Sequence, residues 1–194
     1  MKRPISSPPA DRSRVRRRSR QVTDEPWIRD FLSRAPMCTV ATVHEEQPFL
    51  NANLFVYDGE AQVLYFHTAG EGRTRSNIEA NGRVCVSVSE LGRLLPAARV
   101  TDYSAEYASV TLFGTARIVT DPAEARSVLQ RQLQKYFPHK QPGRDYQPFT
   151  DLEMSRATIY RVEIEEWSAK RHQEPEDFPG AFWYRETQNL AGDG

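Results

Sequence analysis

Few cysteines, no long apolar run and no net charge bound what this 194-residue chain can be. Cys38 and Cys85 are the only two, both inside apolar strand-like runs (MCTVATV and VCVSV), so a disulfide or metal pair is the minority reading. Each thiol is expected to act as a small buried hydrophobe in a reducing compartment, the cytoplasm. The four histidines are scattered and none stands near a cysteine at ligand spacing, so no metal site is expected. No window approaches the ~18 apolar residues that span a bilayer, which predicts a soluble protein with no membrane partner.

Acidic and basic residues balance at 26 each, but unevenly along the chain. Residues 1–20 hold eight cations against Asp11 alone, leaving the remainder acidic by about seven charges. This head is not an export signal, because no apolar stretch follows Arg16 to Arg20. Nor do aromatics interleave with its arginines to stack on bases, so nucleic-acid binding is not expected. Residues 1–20 read as a basic, largely flexible segment, residues 21–172 as the folded domain and residues 173–194 as a tail. Phe178, Phe182, Trp183 and Tyr184 in that tail need a surface to lie on, and a second subunit would offer one.

Within the domain, Asp24 and Pro26 open a helix to about Ala35, where Pro36 stops it. Closely spaced strand signals follow at 37–43, 48–57 and 62–67, with turns at His44 to Gln47 and at Asp58-Gly59, which makes an antiparallel meander. A helix around 74–80 stops at Asn81-Gly82, and a strand runs over 83–89. Residues 91–103 lack a period and read as a loop. The strand over 106–119 contains Gly114, a signal for a bulge. Asp121-Pro122 caps an amphipathic helix with Ala125, Val128, Leu129, Leu133 and Phe137 on one face. A last strand covers 156–167. About six antiparallel strands with a few helices predict a small closed barrel flanked by helices.

The most informative stretch is VLYFHTAGEGRTRSN, residues 63–77. An apolar strand enters a Gly-bearing turn, and the turn opens a helix carrying Arg73 and Arg75. First-turn amides are unpaired and the helix N-terminus is electropositive, so a phosphate settles there; Gly72 lets the backbone approach and Thr68 offers a hydroxyl. Two arginines at that end oppose the macrodipole, and a bound anion removes the penalty.

The chain resembles the pyridoxamine 5′-phosphate oxidase-like, FMN-binding split-barrel superfamily, and within it the NimA-type nitroimidazole-resistance group. The resemblance is carried by Arg16-Arg17-Arg18 before Val22-Thr23-Asp24, by Gln47-Pro48 with Asn51 and Asn53, and by LYFHTAGEGR over 64–73. Asn77-Ile78, Arg83-Val84-Cys85, YASVTLFG over 107–114, Asp121-Pro122 and YRVEIEEWSAK over 160–170 continue it in order. It implies a homodimeric, six-stranded split barrel with flavin at the subunit interface. The flavin ring would lie against Asn51, Asn53, Leu54, Phe66, His67 and Thr68, with Thr68, Gly72 and Arg73 on the phosphate. The opposite subunit would add the strand holding Ser109, and Trp167. Two departures stand out: Thr74 where relatives often carry Lys, and Ala108 where they often carry Arg; Arg75 is the replacement charge.

The implied activity is an FMN-dependent oxidoreductase passing electrons from NAD(P)H to a small organic acceptor such as a nitroaromatic. An F420-dependent reductase, or a flavin- or haem-binding protein without turnover, are the other readings. His67 is a structural hydrogen-bonder, the catalytic group beside the flavin, or, as a third option, a ligand to iron or haem, although His44, His139 and His172 are not placed nearby in sequence. Asn51 and Asn53 share one side of their strand, where buried amides need partners.

Overall fold

The computed structural model describes residues 11–185. Its strands are β1 (Gln21–Val22), β2 (Cys38–His44), β3 (Gln47–Asn53), β4 (Phe55–Asp58), β5 (Val63–Ala69), β6 (Arg83–Leu95), β7 (Ser104–Ile118), β8 (Ala157–His172) and β9 (Phe182–Trp183). Between them lie α1 (Glu25–Arg34), α2 (Arg73–Ala80), α3 (Pro122–Tyr136) and α4 (Asp151–Ser155). All pairings are antiparallel, in the order β3-β2-β6-β7-β8-β5-β4, with β1 on β8 and β9 on β6. The two ends of that order, β3 and β4, are consecutive in the chain and parted by Leu54 alone. The sheet edges therefore meet, and the sheet rolls into the split barrel with flanking helices that the sequence predicts.

Alternation along the strands sorts the core into two clusters on opposite faces of β5. Phe66 and Leu64 point into the barrel with Val40, Phe55, Val86, Leu112 and Tyr160. Val63 and Tyr65 point outward against α3, where Val128 and Leu129 cover them. Asp121 caps α3 through its side chain, which accepts from the Ala123 and Glu124 amides. Asp24 holds the N-cap position of α1 without a side-chain cap bond.

Four expectations change. The strand over 48–57 is two strands, because the chain crosses between sheet edges at Leu54; Tyr136 Oη accepts from the Phe55 amide and donates to its carbonyl, satisfying backbone that no strand pairs. The loop over 91–103 begins later than expected: β6 continues to Leu95 through a register shift between Leu91 and Leu94 that hides the period, and the loop proper is 96–103. β8 continues to His172, carried by its pairing with β7. Part of the tail is strand, with Phe182 and Trp183 paired with Leu94 and Arg93, while Trp183 and Tyr184 stay exposed.

The basic head divides as well. From Asp11 onward it is described: Arg12 pairs with Glu165 and Glu166, and Val15 is buried, while Arg16, Arg17 and Arg18 are exposed. The earlier basic residues, Lys2 and Arg3, lie outside the described residues. Both thiols are free, and burial pushes the Cys38 thiol up to about 12, so it is inert at neutral pH. No helix among the described residues is long and apolar enough to cross a membrane.

Candidate functional site

β5 carries its site residues on two faces because side chains alternate along a strand. Phe66 and Thr68 face the barrel interior, whereas His67 faces α3. Phe66 is fully buried and stacks on Tyr160, with ring centroids 4.6 Å apart. It is therefore a floor for the site and not a contact surface. The Thr68 hydroxyl donates to the Ala69 carbonyl at 2.9 Å and lies 3.1 Å from Tyr160 Oη. Its donor is committed inside the protein, so an anion would be held chiefly by other groups.

Those groups are at the start of α2. Gly72, the N-cap, has φ 133°, and a Cβ built there would meet nothing within 4 Å, so the approach to the backbone is open. No side chain caps the first-turn amides. Arg73 lies over the Phe49 ring, 5.3 Å from its centroid, and has no carboxylate partner among the described residues. A guanidinium beside uncapped helix amides, with no carboxylate on it among the described residues, is an arrangement that can take an anion.

The helix is fixed to the barrel by buried amides. Asn77 Nδ2 donates to Thr42 Oγ1 at 2.8 Å, and Asn51 Nδ2 donates to Thr74 Oγ1 at 3.2 Å. Asn53, also buried, donates to the Asn51 carbonyl. Thr74 is thus an anchor where relatives often carry a cation, and only Asn51, which is part exposed, keeps an edge toward solvent. Arg75 does not join Arg73. Its Nε pairs with Glu79 at 2.8 Å and its Nη1 donates to the Gly70 carbonyl at 2.7 Å, on the β8 side of the turn.

On the other face of β5, His67 lines a cavity of about 520 Å³ with Leu129, Leu133, Phe137 and Phe149. Gln132, buried on α3, sits between: its Oε1 is 2.7 Å from His67 Nδ1, and its Nε2 donates to the Leu54 carbonyl. That second bond orients the amide, so Nδ1 of His67 carries the proton and Nε2 is left as the basic nitrogen available to the cavity. Such a nitrogen can accept a proton or bind a metal centre. Gln132 was legible only in hindsight, as an amide on the apolar stripe of α3 beside Val128 and Leu129.

Ser109 and Trp167 are not brought to this place. Along β8, Thr158 pairs with Thr68 while Lys170 pairs with Ser109, a separation of up to roughly 40 Å of extended strand. Trp167 pairs with Leu112 and packs on the barrel core, beneath the Arg29 guanidinium, so it also lies on the opposite face of the sheet from Ser109. Leu54, at the crossing between β3 and β4, is 41% exposed.

Comparison with known proteins places this geometry. Many solved structures match the chain, among them the following three. A flavocytochrome, Anf3 from Azotobacter vinelandii, superposes with a TM-score of 0.76 at 22% identity, covering 95% of this chain and 81% of its own. An FAD- and haem-binding protein from Mycobacterium smegmatis gives 0.70 at 24% identity, covering 90% of this chain and 80% of its own. A candidate 5-nitroimidazole antibiotic resistance protein from Bacteroides thetaiotaomicron gives 0.62 at 21%, covering 79% and 90%. No curated protein matches the chain. The family model described as pyridoxamine 5′-phosphate oxidase matches residues 24–171, three quarters of the sequence and the whole of the barrel, and on that match the chain belongs to this family.

Proposed function

We propose that this protein is a flavin-dependent redox protein that works as a homodimer and passes electrons from NAD(P)H to a small organic acceptor, a nitroaromatic being one candidate. The observation that carries the reading is Arg73: a cation without a counter-ion among the described residues, set beside the uncapped amides of α2 and the open face of Gly72. A flavin phosphate supplies the missing charge. When bound, the flavin would accept a hydride from the donor and deliver electrons to the acceptor. Arg73 and the α2 amides hold the phosphate, Asn51 offers a hydrogen bond to a ring edge, and Leu54 gives an exposed apolar surface for the ring. FMN is the expectation from the resemblance, and F420 is its rival.

The His67 cavity supports a second cofactor. Apolar walls, a histidine with its Nε2 free and its Nδ1–H held by Gln132 make a donor set suited to haem. The flavocytochrome and the FAD- and haem-binding protein, both of the same fold, make a flavin–haem pair the form of the activity we favour.

The test is the absorbance spectrum of the purified protein, repeated after adding flavin and haemin and removing the excess. Retained flavin bands are expected, and Arg73→Ala is expected to abolish them with the far-ultraviolet circular dichroism unchanged. Full flavin affinity in that variant would sink the phosphate assignment. A Soret band lost in His67→Ala would support the haem reading, and one that persists would refute it.

A further inference from the structure

A second cavity, of about 440 Å³, lies on the far side of the Gly70 turn and has no part in the site described above. Its apolar walls include Val119, Pro122, Met154 and Ile159, and Arg75 and Ser155 stand among its polar groups. We propose that this cavity takes the adenosine half of a flavin dinucleotide, with Arg75 on the second phosphate, so that the chain selects FAD over FMN. The inference rests on the flavin reading and deepens it.

The argument begins with spacing. Residues two apart on a helix do not share a face, and Arg73 and Arg75 accordingly diverge, Arg73 to Phe49 on β3 and Arg75 to Gly70 and β8. A mononucleotide has one phosphate and needs only the first. A pyrophosphate places its second charge a short distance further on, and a second guanidinium waits there beside a cavity.

Arg75 is also prepared for this. Nε is held by Glu79 and Nη1 by the Gly70 carbonyl, with Thr158 Oγ1 3.5 Å away. Nη2 has no partner among the described residues. A planar cation fixed on two sides and open on the third loses little entropy when it binds a phosphate oxygen. Gly70 and Gly72 stand in the turn between β5 and α2, and Glu71 between them is exposed. Beyond Arg75, apolar walls suit the faces of a purine, and Ser155 Oγ, whose proton goes to the Leu152 carbonyl, is left to accept from a ribose hydroxyl or the adenine amino group.

FMN and FAD are titrated separately into the full-length apo-protein and followed by flavin fluorescence. FAD is expected to bind at least tenfold more tightly than FMN. Arg75→Ala should weaken FAD about tenfold and FMN less than twofold. Ser155→Trp, at an exposed position that the fold tolerates, should block the cavity and give the same selective loss. Equal affinities for the two flavins, or equal losses in the variants, would overturn the inference while leaving the flavin reading intact. Weakened NADPH binding with unmoved flavin affinities would overturn it too, assigning the cavity to the electron donor. Binding of neither flavin would overturn the flavin reading and this inference with it.

Discussion

His67 shows how one hydrogen bond decides what a side chain can do. An isolated imidazole has two interchangeable nitrogens, but Gln132 Oε1 at 2.7 Å selects the Nδ1–H form and leaves Nε2 bare toward an apolar cavity. Gln132 does not line that cavity, so it is a positioning residue. Gln132→Leu keeps the volume of the side chain and removes both the acceptor and the bond to Leu54. Haem affinity is expected to fall about tenfold, the scale on which an orienting partner acts, with a shifted Soret maximum. Gln132→Glu should restore the maximum, because a carboxylate also accepts from Nδ1. A wild-type spectrum and affinity in Gln132→Leu would reduce the contact to packing.

The elements were more legible than their ends. The bulge expected from Gly114 is present, a register shift between Phe113 and Gly114 where β7 meets β8. A Cβ at this position would lie 2.0 Å from the Glu163 carbonyl oxygen, closer than any real contact. Gly114→Ala must therefore push two central strands apart, and a loss of about 2–3 kcal/mol in chemical denaturation is expected. By contrast, nothing local predicts that 48–57 divides at Leu54. Both halves have strand composition, and only the closure of the barrel sends them to different edges. The turn into α2 was readable because glycine, helix start and arginine are contiguous in sequence. The His67 cavity was not, since its walls come from β5, α3 and the connector near Phe149. The extended end of β6 was hidden for a related reason: it is held by the ion pair of half-buried Arg93 with Glu106 on β7, and the Arg93 guanidinium also binds the carbonyls of Glu174, Pro175 and Glu176 and so fastens the C-terminal strap. The Arg93 hydrogen bond holds the Glu106 carboxyl down at about 2. Because the folded value lies below the unfolded one, this stabilisation is complete above about pH 4.5 and is lost as the pH falls toward 2. Glu106→Gln removes the counter-ion of Arg93 and is expected to lower stability at neutral pH. Urea melts at intervals from pH 7 to 2 should show the variant losing less stability on acidification than the parent.

At the scale of the molecule, the decisive fact is that one chain cannot gather all the residues the family resemblance assigns to its site. Thr68, Gly72 and Arg73 stand at one end of β8, and Ser109 stands twelve residues along it, paired with Lys170. If one flavin touches both groups, a second copy supplies one of them, and each dimer has two composite sites related by a two-fold axis. Sedimentation is then expected to give twice the 22.3 kDa chain mass. Mass alone does not show a shared site, but mixing variants does. Arg73→Ala removes the phosphate cation from one side of each site, and Ser109→Trp obstructs the other, so each homodimer should retain no flavin. In a refolded equimolar mixture, half the dimers are mixed, and in each of these one site carries both changes while the other carries neither. About a quarter of the sites would recover flavin under random pairing. Recovery near that fraction would establish that the two surfaces meet across the interface. No recovery, from variants that still form dimers, would place the whole site within one chain and remove Ser109 from it.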